Sequence, residues 1–142
     1  MTDGIVLTAQ EVAQSDENKQ KKTRTIAQLP VFRNGVTLLG FVVDLAARTP
    51  RNTRRFTDSS IDIANSLLRT IGLANENRGE ERILYITDAV VCTFTLKAHL
   101  GLYYGRGLMS KDVHNKAKKI CDNTVAQLYG WRDSTLRSGH VS

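Results

Sequence analysis

"SKDVHNKAKKICDNTVAQLYGW" (residues 110–131) decides what kind of fold the chain adopts. Val113, Ala117, Ile120, Thr124, Leu128 and Trp131 recur at intervals of four and three, the pattern of a helix that packs on other helices, while Lys111, Lys116, Lys118 and Lys119 fall on its other faces. Ser110, followed by Lys111 and Asp112, predicts the cap of this helix, and "GRGLMS" (105–110), with two glycines, predicts the turn before it. One amphipathic helix cannot bury its own seam, so the fold depends on whether the upstream chain offers partners.

It offers three. Val36, Leu39, Val42, Val43 and Ala46 lie at helical spacing between 31 and 49, and "RTP" closes that segment because proline disfavours helix in the residue before it. Thr57 and Asp58 predict the cap of a second helix, in which Ile61, Ala64, Leu67, Leu68 and Ile71 recur by three and four. After the turn signals of "NENRGEER" (75–82), Ile83, Ile86, Val90, Phe94 and Lys97 stripe a long third helix reaching about Tyr104. No strand-like alternation competes. The expected class is all-α: an antiparallel up-down-up-down four-helix bundle, since helices joined by short links pack against their neighbours in sequence. The expected organisation is a poorly ordered polar leader over 1–29, a bundle domain over 30–136 and a short tail over 137–142.

The chain has 142 residues, 41% hydrophobic and 24% charged, the size and balance of one soluble globular domain. Its longest apolar runs, such as "GVTLLGFVV" (35–43), fall short of the roughly 18–20 residues a membrane-spanning helix needs, so no membrane partner is expected. The first 30 residues lack the basic start, apolar block and cleavage site of a secretion signal, and the expected location is the cytoplasm. Cys92 and Cys121 both lie in helical stretches and read as reduced core thiols rather than a disulfide or a reactive thiol. All 20 basic residues but only 10 of the 14 acidic ones lie beyond residue 18, which leaves +10 there and favours association with polyanions.

No GxxxxGK[ST], GxSxG or HExxH occurs, and "GLYYGRGLM" (101–109) lacks the lysine and hydroxyl residue of a phosphate loop. His99 and His114 have no His, Cys or Glu at metal-site spacing and read as partly buried or interfacial histidines. A di-iron bundle needs inward glutamates, whereas here glutamate is confined to Glu11, Glu17 and the 76–81 link. No cofactor, metal or catalytic residue is expected, and the chain reads as a non-enzyme. Asp88, in the apolar "LYITDAVV" (84–91), is expected either at a partner-facing surface or in a salt bridge across helices.

Charge remains. "RTPRNTRRF" (48–56) holds Arg48, Arg51, Arg54 and Arg55 in one link, and an up-down-up-down layout brings Arg106 and Lys111 of the third link to the same end, with Arg78 and Arg82 at the other. These six residues are the candidate nucleic-acid-binding set; the plainer alternative is a solvated loop that keeps the chain soluble. Tyr103 and Tyr104 stand beside them as stacking or packing residues.

From about Phe32 to Ser134 the chain resembles the accessory variability determinant proteins of diversity-generating retroelements, a branch of the four helix bundle protein family. The resemblance lies in a first helix ending in Pro50 and Arg51, a basic loop, the third-helix stretch "LYITDAVV", and Met109 and Ser110 opening a last helix that finishes in "LYGW" (128–131). It implies a non-enzymatic, basic homopentameric ring that binds a reverse transcriptase and nucleic acid, both RNA and DNA, in mutagenic copying of a template repeat. Two other expectations stand beside it: a protein of the kind encoded within 23S rRNA intervening sequences, and a protein-interaction adaptor that binds no nucleic acid. Phe41, Tyr85 and Phe94 are the apolar residues that a single bundle core is expected to leave uncovered.

Overall fold

A computed structural model describes residues 25–141. It is built from four helices, α1 (Pro30–Arg48), α2 (Arg54–Glu76), α3 (Gly79–Gly105) and α4 (Lys111–Val141), with short 3-10 turns at Ile26–Gln28 and Arg51–Thr53. Among the described residues there is no strand. The described part of the chain is therefore all-helical, consistent with a four-helix bundle. Residues 1–24 of the expected leader lie outside the described residues. Within its last residues, Ile26 and Leu29 pack against the core. The stretch expected as a tail continues α4 as far as Val141.

The helix boundaries have local causes. Pro30 occupies the first position of α1, where its missing N–H costs nothing and its backbone angle suits a helix. Thr49, extended ahead of Pro50, ends that helix. Only two residues, Asn77 and Arg78, separate α2 from α3; Gly79, at φ 58°, supplies a left-handed backbone that a side chain would strain. Ser110 caps α4 by accepting the Val113 N–H at 3.2 Å.

The start of α2 differs from expectation. The turn Arg51–Thr53 runs directly into the helix at Arg54, so Thr57 is an interior residue whose hydroxyl donates to the Arg54 carbonyl, and Asp58 is exposed. Arg54 and Arg55 are therefore helix residues instead of loop residues.

The core repeats by three and four in every helix: Val31, Leu38, Val42 and Leu45 in α1; Ala64, Leu67, Ile71 and Ala74 in α2; Ile86, Ala89, Leu96, Leu100 and Tyr103 in α3; Ala117, Cys121 and Leu128 in α4. The missing beats are filled by buried Thr and Ser. Thr93 and Thr124 donate to the carbonyls of Ala89 and Ile120 one turn back, at 2.8 and 2.7 Å, so each hydroxyl is satisfied within its own helix and the methyl group packs. This shifts two expected stripes. Val36 and Val43, placed on the helical stripe of α1, are half-exposed, because Gly35 and Val42 hold the neighbouring inward positions, and Thr93 takes the inward position beside Phe94. Of the apolar residues expected to lie uncovered, Phe94 does, whereas Phe41 and Tyr85 pack partly buried on the core.

α1 and α3 each pack against α2 and α4, and so lie across the core from one another. Both are apolar on two faces. Val36 and Val43 project outward from α1, and Leu84, Val91, Phe94 and Leu102 from α3, with Val91 57% exposed. By length and composition alone both helices reach the threshold for a membrane span, with only 28% and 33% of the relevant windows buried. Counting apolar runs missed this, since Asp44 and the pair Thr87 and Asp88 divide the apolar stretches.

Candidate nucleic-acid interface

All six predicted basic residues are exposed. Arg48 lies in the last turn of α1, its Nε donating to the Asp44 carbonyl at 3.2 Å. Arg51 opens the short turn, Arg54 and Arg55 open α2, Arg106 follows α3, and Lys111 opens α4. None of the six forms an ion pair with a described residue; the ion pairs present are Lys97 with Asp122 and Arg132 with Asp133. Arg82 is a contrast. Its guanidinium donates to the carbonyls of Ala74 and Asn75 at 2.8 and 3.3 Å and lies 5.4 Å from the Trp131 ring, closing the end of α2.

A cavity of about 230 Å³ joins the first and third links. Thr53, Phe56, Leu102, Tyr103, Arg106 and Leu108 line it. Of the six, only Arg106 lines the cavity; Arg51, Arg54 and Arg55 flank its lining residues Thr53 and Phe56 in the chain, and Arg48 and Lys111 lie on neither lining segment. Two cations at the first two positions of α2, with no acid in its first turn, oppose the positive end of the helix dipole, which disfavours each by about 0.3–1 kcal/mol. The positive end of that dipole and Arg54 and Arg55 therefore carry charge of the same sign beside the lining residue Phe56.

Behind the cavity lies a polar cluster that sequence reasoning missed. Ser60 Oγ is 3.1 Å from the Phe56 carbonyl, 2.6 Å from His99 Nδ1 and 2.7 Å from the Tyr103 hydroxyl. A serine has one proton and two lone pairs. All three contacts are satisfied when Ser60 donates to the carbonyl and accepts from both the Tyr103 hydroxyl and a protonated His99 Nδ1, which leaves His99 Nε2 unprotonated. Burial lowers the His99 pKa, in keeping with a neutral ring. Burial also pushes the Tyr103 hydroxyl up, against a smaller downward pull from the Ser60 hydrogen bond, so it remains a donor.

Phe56 stacks on His99 with centroids 4.5 Å apart and meets Tyr103 at 5.2 Å. The signal was present as two pairs at a spacing of four, Phe56 with Ser60 and His99 with Tyr103, but it becomes legible only once α2 and α3 are known to face each other.

The other singled-out residues divide. Tyr103 is a packing residue, whereas Tyr104 is exposed and stacks on His114 at 4.5 Å. Asp88 is exposed and forms no salt bridge with a described residue, and Lys97 pairs with Asp122 at 2.6 Å. Both cysteines are free; burial first, then Asp122, pushes the Cys121 thiol up to about 12, with a smaller opposing effect from Lys97. Among the described residues no three His, Cys, Asp or Glu side chains are grouped to hold a metal ion. Comparison of the chain with known protein families, curated proteins and solved structures finds no match.

Proposed function

We propose that this protein is a non-enzymatic, cytoplasmic nucleic-acid-binding accessory protein whose arginine-rich end holds the phosphates of RNA or complementary DNA. The observation that carries the reading is the set of exposed arginines without an ion pair among the described residues: Arg106 lines the cavity, and Arg51, Arg54 and Arg55 belong to the segment that supplies its lining residues Thr53 and Phe56. Charge held against a helix dipole and left unpaired is suited to an anionic partner.

The helices run antiparallel, up-down-up-down. Contacts between Phe56 and Tyr103 at one end, and between Arg82 and Ala74 at the other, support that arrangement for α2 and α3. The bundles associate head to tail, the outward face of α1 in one copy meeting that of α3 in the next. Two different apolar faces on opposite helices suit a closed ring better than a two-fold dimer, which pairs like with like. The sequence resemblance to accessory variability determinants sets the ring at five copies and the protein partner as a reverse transcriptase. Repeating the arginine edge around the ring multiplies a weak site into a strong one.

Copurification of tagged protein from its native host, with sequencing of bound RNA and mass spectrometry of bound proteins, tests this reading. Recovery of a reverse transcriptase together with RNA supports it. An acidic protein recovered without nucleic acid favours an adaptor, and ribosomal RNA alone favours the intervening-sequence relationship.

A further inference from the structure

The cavity between the start of α2 and the end of α3 has an apolar lining and one cation, Arg106, and those two features call for different parts of a ligand. Phe56 and Tyr103 give it an aromatic wall, and Leu102 and Leu108 an aliphatic one. That wall is held in place before any ligand arrives: the Tyr103 hydroxyl is tied to Ser60 at 2.7 Å, and the Phe56 ring is stacked on His99. Preorganised aromatic surface loses little freedom on binding. Arg106 lines the cavity, and Arg51, Arg54 and Arg55 are chain neighbours of the lining residues Thr53 and Phe56; none of the four has an acidic partner among the described residues. The Thr53 hydroxyl donates to the Pro50 carbonyl at 2.9 Å, which leaves its lone pairs as acceptors at the rim.

We propose that this cavity takes one unstacked base of a single strand, whose neighbouring phosphates rest on Arg106 and on the arginines of the adjoining segment 51–55. The proposal rests on the nucleic-acid reading above and adds to it a preference for single strands over duplexes. A nucleotide carries a flat apolar body and a negative charge on one unit, which matches an aromatic cavity that also has a lining arginine. In a duplex the base is buried in the stack and only the phosphates remain available, so the arginines alone would act.

The test uses the full chain and fluorescence anisotropy at one salt concentration. The probes are an oligouridylate of about 12 nucleotides, an abasic strand of the same length and charge, and a duplex of equal length. The oligouridylate should bind about tenfold more tightly than the abasic strand, a difference of about 1.4 kcal/mol. Phe56→Leu, which keeps apolar bulk but removes the ring face, should bring that ratio below about threefold. Leu102→Ala, at a half-exposed wall residue outside the Ser60 cluster, is the second variant, in case the first does not fold.

Equal binding of the two strands by the wild-type protein overturns the base site and leaves the phosphate reading standing. An undiminished ratio in a helical variant overturns it as well. If no nucleic acid binds and a copolymer of glutamate and tyrosine does, the partner is an acidic protein segment, and both readings fall.

Discussion

Replacing Ser60 by alanine removes one oxygen and leaves two donors without an acceptor. Tyr103 is only 2% exposed, so its orphaned hydroxyl bears a desolvation penalty of about 1–3 kcal/mol. His99 is half-buried and regains some contact with water, so its share is smaller, about 1 kcal/mol. Alanine returns about 0.5 kcal/mol through its better helix propensity. The expected loss is therefore about 2–3 kcal/mol, or a fall in Tm of roughly 8–12 °C for a domain of this size. Thermal unfolding by circular dichroism at one fixed protein concentration measures it, since any self-association makes Tm concentration-dependent. In a Ser60→Ala, Tyr103→Phe double variant the orphaned hydroxyl is gone, and the loss should be smaller than the sum of the single losses by about 1 kcal/mol. A Ser60→Ala protein within about 2 °C of wild type would refute the hydrogen-bond assignment.

His99 gives a pH dependence of known sign. Its folded-state pKa lies below the unfolded value of about 6.5, so the unfolded state takes up the proton first; stability is full above that value and declines as pH falls toward and through the folded pKa. Urea unfolding between about pH 5.5 and 7 should show this slope, and His99→Gln should reduce it. Val91→Glu, on the outward face of α3, should lower the mass seen by light scattering without loss of helicity; an unchanged mass, or wild-type monomers that partition into lipid vesicles, contradicts the head-to-tail ring. Cys121, buried and with its thiol near 12, should resist thiol reagents in the native protein and react on unfolding, whereas prompt labelling of both cysteines contradicts its placement.

The helices were legible because their apolar residues recur at helical spacing over long stretches, and Ser110 announced its cap. The inward face of α1 was read one position off. Gly35 carries no side chain to mark it as inward, and Val36 and Val43 carry the hydrophobic signal of a different, outward face. Thr93 misled in the same way: its hydroxyl reads as polar in sequence and is silenced by its own helix in the fold. The basic end was legible as composition, since four arginines in nine residues stand out, and the cavity joins Arg106 to that segment. The Ser60 cluster was not, because Ser60 and Tyr103 are 43 positions apart and nothing local to either marks the other.

The direct measurement is the salt dependence of RNA binding by the wild-type protein and by a variant with Arg51, Arg54 and Arg55 all changed to alanine. If the three side chains sit on phosphates, the slope of log K against log salt should shrink by about 2 per bound protomer, at about 0.7 per single-strand contact. Helicity should be unchanged, since exposed charges contribute little to folding. A folded triple variant that binds RNA with the wild-type affinity and slope would contradict the account.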